Sequence, residues 1–353
     1  MEILTVNVGS SSVKLDRFTV ADGQRHPVAH SRGAGEELLA ALPAPAVVVH
    51  RIVHGGALAR PALIDASVEA QIESCAPLAP LHNPPALAMI RACRRRFGPE
   101  VPQLAVFDTA FFADLPAVAR SYALPRALTE AHGIRRYGFH GIAHQALWRA
   151  WQAHTGRAGR LVTLQLGAGA SAAAIADGRP LDTSMGYTPL EGLVMATRSG
   201  DVDPGLLLHL QQAAGLDAAQ MQDTLAHHSG LLGLAGNADM AAVLADPSPA
   251  AKLAVDVYCQ RIRKYIGAYA AVLGGIDGIA FGGGVGEHAP AIRAGVLTGM
   301  DWLGVHLDQT VNAAANGTAC ISSAGSPCAV WVFRVDEADE LARAGQALLT
   351  GRC

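Results

Sequence analysis

The chain has 353 residues and a formal net charge of −3; half of its residues are hydrophobic and 16% are charged. That length predicts two domains, the composition excludes a disordered chain, and the charge balance excludes a nucleic-acid binder, Arg94-Arg95-Arg96 reading as a solvated helix end. No apolar run reaches the ~18 residues of a membrane span, no charged segment precedes an apolar one at the N-terminus, and the six cysteines hold no Cys-x-x-Cys pair, so reduced cytosolic thiols are expected rather than a metal or redox centre.

In chain order, Ile3 to Val8 alternates apolar and polar residues and predicts a strand. Gly9-Ser10-Ser11-Ser12 is a turn and Val13 to Val20 resumes the strand, so Asn7, Ser10, Ser12 and Lys14 gather around a hairpin. Hydroxyls, a glycine backbone and an ammonium suit a phosphate, although a plain hairpin explains the same residues. Ala21 to Leu42 reads as an irregular connection with a short helix. Ala46 to His50 is a β-rich run ending in His50-Arg51-Ile52-Val53-His54-Gly55-Gly56, an Arg and two His at a strand end. Leu81-His82-Asn83-Pro84 leads into an amphipathic helix, Pro85 to Phe97, with proline in its first turn. Gln103 to Phe107 is a buried-type strand running into Asp108, a carboxylate that serves either a site or a helix cap. His140 and His144 stand four apart, but Gly141 separates them and argues against a zinc pair. Ala143 to His154 is helical.

Leu161 to Asp203 carries the densest chemistry. Leu161 to Leu166, Gly167-Ala168-Gly169 and Ala172 to Ala176 read as strand, tight turn and strand, with Asp177-Gly178 turning the chain again. Two glycines two apart bring backbone N–H groups close to an anion, and Arg198 offers a planar donor fork for phosphate or carboxylate. A tight hairpin beside an exposed Arg is the other reading. Helices follow at Gly205 to Ala214, Ala218 to His227, Asp239 to Leu244 and Pro249 to Leu273, the last stopped by Gly274. Ile276 to Phe281 is a strand, Gly282 to Glu287 a glycine loop suited to a nucleotide but without Gly-x-Gly-x-x-Gly spacing, and Pro290 to Leu297 a helix. Ala329 to Val335 is the last strand and Glu337 to Leu349 the last helix, acidic at its N-terminus. Glycine hairpins near residues 9 and 168 each open a strand-rich half followed by helices, which predicts a duplicated α/β architecture.

Together these blocks resemble the acetate kinase (acetokinase) family over nearly the whole chain: Asn7 to Lys14, His50 to Gly56, Leu78 to Pro84, Phe107 to Phe111, Tyr122 to Pro125, Ile134 to His140, Asp182 to Asp203, Arg263 to Ala271 and Gly283 to Glu287, in the family's order. The resemblance implies the duplicated actin-like, sugar-kinase-like ATPase fold, two domains around a central cleft. These would be residues 1–145 and 146–336, with the C-terminal helix, 337–353, packing back on the first. It implies Mg²⁺ (or Mn²⁺), ATP and acetate giving acetyl phosphate and ADP, in a cytoplasmic homodimer without nucleic-acid or membrane partners.

It also assigns roles. Arg51, Asp108, His140 and Arg198 would be catalytic. Arg51, Val53, Leu81, His82, Phe139 and Pro189 would hold acetate, Val53 leaving little room for a longer acid. Ser10, Ser12, Lys14, Gly167, Gly169, Ser171, Asp239, Gly283, Gly284 and Gly286 would hold the nucleotide, and Asn7 and Glu337 the metal through waters. Asp108 is not expected to act as a base, because a carboxylic acid of pKa about 4 is already ionised at neutral pH.

The chain departs from the family on the nucleotide side. The usual His-Leu-Gly-Asn-Gly is here Gln165-Leu166-Gly167-Ala168-Gly169. Ala196 replaces a glycine, Ala241 stands where an Arg is common, and His288 where an Asn is usual. Losing one hydrogen bond to a charged phosphate costs roughly 1.5–3 kcal/mol. Three readings therefore stay open: an acetate kinase, a kinase for another short-chain acid (propionate or butyrate) or another donor such as pyrophosphate, and a weakened paralogue that binds ligand and regulates.

Overall fold

The computed structural model describes residues 1–9, 12–33 and 35–351; Ser10, expected on the phosphate side, lies outside them. The chain divides into two units: residues 1–113, 139–142 and 336 onward form the first, and residues 114–138 and 143–335 the second.

In the first unit, β1 (Glu2–Val8), β2 (Val13–Ala21), β3 (Gln24–Gly33), β4 (Val47–Ile52), β5 (Ala62–Leu63) and β6 (Gln103–Phe107) form one sheet in the order β3-β2-β1-β4-β6-β5. β1, β4 and β6 run parallel, while β2, β3 and β5 are antiparallel to their neighbours. The alternation of β1 divides its side chains between two cores. Leu4, Val6 and Val8 join Leu87 and Ile90 of the helix Asn83–Phe97. Ile3 lies on the other face with Val47, Val49 and, from the helix Glu337–Leu349, Leu341 and Ala342. Covered on both faces, β1 is buried from Ile3 onward.

The second unit repeats this plan. Its strands β7 (Arg160–Leu166), β8 (Ala170–Ala176), β9 (Arg179–Thr183), β10 (Gly278–Gly282), β11 (Ala319–Cys320) and β12 (Ala329–Val332) lie in the order β9-β8-β7-β10-β12-β11. β7, β10 and β12 are parallel, and β8, β9 and β11 antiparallel to their neighbours, as in the first sheet. The predicted duplication is therefore present strand for strand. β8 is nearly all alanine, and the helix Pro249–Leu273 packs across it. That helix has Ser248 as its N-cap, Pro249 in its first turn and Gly274 in the left-handed conformation at its end.

Two segments differ from the sequence reading. Gln24–Gly33 is a strand, not an irregular connection; the short helical piece is a 3₁₀ turn at Glu36–Leu39. As an edge strand with no buried position, β3 has no apolar face for alternation to reveal. Its one irregularity falls beside Pro27, which cannot donate to the ladder. The expected glycine loop at Gly282 to Glu287 is instead a short helix, Gly283–His288. Glycine is a poor helix former. Here the turn is secured from outside, because the fully buried Arg293 donates Nη1 to the carbonyls of Gly286 and Glu287 and Nε to Asn312 Oδ1. Among the described residues no helix is long and apolar enough to cross a membrane.

Candidate active site

In the first unit the functional side chains gather at the carboxyl ends of the parallel strands, where open α/β sheets place ligands. Asn7 ends β1, Arg51 is on β4, Asp108 follows β6, and Glu337 starts the last helix. Arg51 donates Nε to Asp108 Oδ1 (3.0 Å) and Nη2 to Asp108 Oδ2 (2.7 Å), a two-pronged pair that occupies both carboxylate oxygens. Arg51 Nη1 donates to Asn7 Oδ1 (3.1 Å) and lies 3.4 Å from Glu337 Oε2, while Asn7 Nδ2 donates to the same Glu337 oxygen (2.8 Å). Burial works against the charge on Arg51, but Asp108 and Glu337 outweigh it and raise its pKa. One guanidinium thus faces two carboxylates.

Around this cluster the backbone is clamped. Gly141 N–H donates to Asp108 O at 3.0 Å, and a Cβ at Gly141 would overlap that oxygen and press on Phe111. His140, immediately before, takes a left-handed backbone with φ 57°, uncommon for a non-glycine residue. Asn83, which sequence reasoning passes over, is fully buried and ties the His54 segment to the helix start: it accepts from His54 N–H and donates to the carbonyls of His54 and Ile72. Its signal is a polar residue followed by Pro84-Pro85 at a helix N-terminus. Val53 and Phe139 are buried, with the Phe139 ring edge-on to His54 at 5.5 Å. Leu81 is 42% exposed, and His82 caps the helix Asn83–Phe97. On the β1–β2 hairpin, Lys14 is exposed opposite Asn7, and Ser12 accepts a hydrogen bond from Arg32. Arg32 stands beside Lys14 in register and is also absent from the expected set.

The second unit holds a cavity of about 370 Å³. Gly167, Asp239 and Gly284 line it, and so do Ala168, Ala241 and His288, three of the positions where the chain departs from the family. Gly283 is confined to glycine: its φ is +77° and a Cβ would meet Leu166 O at 2.5 Å. Gly284, by contrast, has open space where a Cβ would stand, so the cavity reaches its backbone. Gly167 N–H closes the hairpin onto Gly169 O at 2.9 Å. Gly286 is buried behind, on the same helix. Asp239 caps the helix Met240–Ala245, accepting from Ala241 N–H. Ser171 points inward, fully buried, with its hydroxyl at 2.8 Å from His144 Nε2. Gln165 leaves its buried Oε1 without a hydrogen-bond partner.

Arg198 is held differently from Arg51. Its Nη1 donates to Pro189 O at 2.9 Å, and among the described residues no carboxylate lies within 4 Å of it. Burial lowers its pKa to about 10. Desolvating a cation without a counter-charge is costly, and an arriving anion relieves that cost.

Two sheets of one strand plan, an arginine without a carboxylate partner among the described residues and a cavity of about 370 Å³ in the second unit fit a phosphotransferase of the actin-like ATPase class. A profile of the Acetokinase family matches residues 34–343. The acetate kinase of Leifsonia xyli subsp. xyli (strain CTCB07) is 49% identical over 313 residues, 86% of this chain and 79% of that protein. The crystal structure of Porphyromonas gingivalis acetate kinase superposes with a TM-score of 0.89 at 35% identity, covering 99% of both chains. That of a propionate kinase from Francisella tularensis subsp. tularensis SCHU S4 superposes with 0.88 at 33%, covering 97% of this chain and 98% of that one. The chain belongs to the acetokinase family, phosphotransferases that use a carboxyl group as acceptor.

Proposed function

We propose that the protein is an acetate kinase. An acetate oxygen attacks the γ-phosphorus of ATP, the bond from that phosphorus to the β,γ-bridging oxygen breaks, and acetyl phosphate and ADP leave; the reverse reaction follows the same path. The observation that carries this reading is Arg198, a partly buried cation without a carboxylate partner among the described residues. Phosphoryl transfer runs through a loose transition state with charge spread over the phosphoryl oxygens, so catalysis is chiefly positioning and neutralisation. Arg198 would supply the neutralising charge, and His140 a hydrogen bond to the group in flight. No proton is removed from acetate at neutral pH, and both oxygens of Asp108 are engaged by Arg51. Asp108 therefore acts by aiming Arg51, whose second Nη2 hydrogen remains to meet the carboxylate or the phosphoryl group.

Val53 and Phe139 supply buried apolar surface for the methyl group, with His82, Leu81 and Pro189 as its neighbours in the family pattern. Ser12 and Lys14 would serve the phosphates. The adenosine would enter the cavity at Gly167, Asp239 and Gly284, with Gly169, Gly283 and Gly286 beside these in sequence.

Mg²⁺ or Mn²⁺ fits the donors at Asn7 and Glu337. The cluster has two carboxylates to one guanidinium, and among the described residues Glu337 Oε1 has no protein hydrogen bond. Such a set suits an ion that keeps its waters and takes its other ligands from phosphates. When bound, the ion would neutralise phosphate charge. A homodimer accompanies the reading, and sedimentation equilibrium reads it directly.

The test is acyl-phosphate trapping with hydroxylamine, using purified folded protein, Mg²⁺, and acetate, propionate or butyrate against ATP or pyrophosphate. Acetate with ATP should give the most hydroxamate. No product from that pair overturns the reading, and a different winning pair replaces its acid or its donor.

A further inference from the structure

Among the described residues the one side-chain hydrogen bond of Arg198, Nη1 to Pro189 O, hangs a partly buried cation from an irregular stretch of chain. Pro189 lies in residues 186–192, a run with no helix or strand, so no sheet ladder or helix turn fixes its carbonyl. Glu191, two residues on, provides the anchor. One of its carboxylate oxygens accepts from Arg136 Nη2 and the other from the Tyr122 hydroxyl. The Tyr122 oxygen in turn accepts from Tyr187 N–H at 2.9 Å. Arg136 Nη1 donates to the carbonyls of Thr183 (3.2 Å) and Met185 (3.1 Å), so the same guanidinium grips the entry to the stretch and, through Glu191, its far end. Gly186 lies under this knot, where a Cβ would overlap the Glu191 carboxylate and the Tyr122 hydroxyl.

We propose that Glu191, lashed to Arg136 and Tyr122, is a positioning residue that fixes the Pro189 carbonyl and through it the direction of the Arg198 guanidinium. A partly buried ion pair adds little net stability, and its geometric effect here is to fix an irregular loop. Burial works against the charge on Arg136, but Glu191 outweighs it and raises the pKa, so Arg136 keeps its charge. The catalytic consequence rests on the role proposed for Arg198.

Glu191→Gln keeps the shape and removes the charge. It should lower kcat about tenfold, since small misplacements of a catalytic group are costly, and leave KM for ATP and acetate within about threefold. Tyr122→Phe should give a smaller fall of the same kind. A second readout is independent of turnover: the Nε–Hε NMR signal of Arg198, assigned by its loss in Arg198→Lys. It should move in Glu191→Gln and stay in Asp277→Asn, a control at the Arg160 pair. An unmoved signal, or kcat unchanged in a protein that turns over, overturns the proposal. A moved signal in a wild-type protein that makes no acyl phosphate sinks the proposed function and leaves the positioning intact.

Discussion

At the scale of the residue, the two arginines of the expected set differ in what surrounds them. Arg51 shares hydrogen bonds with Asp108 and Asn7 and is raised in pKa, whereas Arg198 is partly buried on one carbonyl and lowered to about 10. A charge held in this way lowers stability for the sake of binding. Arg198→Met should therefore lower kcat/KM by at least about a thousandfold, the scale of an arginine that neutralises a moving phosphoryl group, without lowering the thermal midpoint. Trapping assays and a melting curve on one preparation check both halves, and a variant that is inactive because it has unfolded would contradict the second. The residue types were legible: an Arg after a small-residue turn, an Asp after a strand. Their pairing was not, because the Arg51–Asp108 contact spans 57 positions of sequence and Arg198's lack of a counter-charge depends on where every other carboxylate goes.

At the scale of the element, legibility followed burial. β1 and β6 show themselves because the sheet faces they form are buried, and the helix Pro249–Leu273 because its caps and period agree. β3 is exposed on both faces, and Gly283–His288 depends on Arg293 from the next helix, so neither carries its own signal. The β4–β6 pair adds a buried titration. His50 is 1% exposed, its Nε2 is 2.7 Å from Gln103 Oε1, and its Nδ1 has no partner among the described residues. Burial lowers its pKa from 6.5 to about 4, with the Gln103 contact opposing. Above pH 6.5 the imidazole is neutral in folded and unfolded chains alike. As pH falls from there toward 4 the unfolded chain takes the proton first, so stability drops, by about 3 kcal/mol over the window. Urea midpoints measured from pH 7.5 to 4 for wild type and His50→Gln should converge as acid is added, because the variant lacks this loss. Curves that stay parallel would remove His50 as the cause.

At the scale of the molecule, the two units share one strand plan, and the expected site residues fall in both. Glycine hairpins at equivalent places made the duplication readable, since each opens its sheet between the first two antiparallel strands. The division of labour was less readable. The first unit holds a compensated cluster of Arg51, Asp108 and Glu337, and the second a cavity whose departures from the family, Ala168, Ala241 and His288, line one wall. Those three positions are far apart in sequence and look unrelated until the fold brings them together. Because no Lys or Arg lines that cavity, while Asp239, Tyr258 and His288 stand among its apolar residues, recognition there suits the nucleoside more than the phosphates. Adenosine, which carries no phosphate, should therefore bind in its own right. Hydrogen exchange with and without adenosine should show protection at Gly167 to Gly169, at Asp239 to Ala241 and at Gly284 and Val285, with β1 and β2 unchanged. At a concentration of 100 times its Kd the stabilisation should reach about 2.7 kcal/mol. For a folding unit of this size that is a rise of about 5–10 °C in the melting transition. Protection centred on β1 and β2 would place the nucleoside in the wrong unit. Protection that appears with ATP and never with adenosine would mean that the phosphates, not the cavity, carry the affinity.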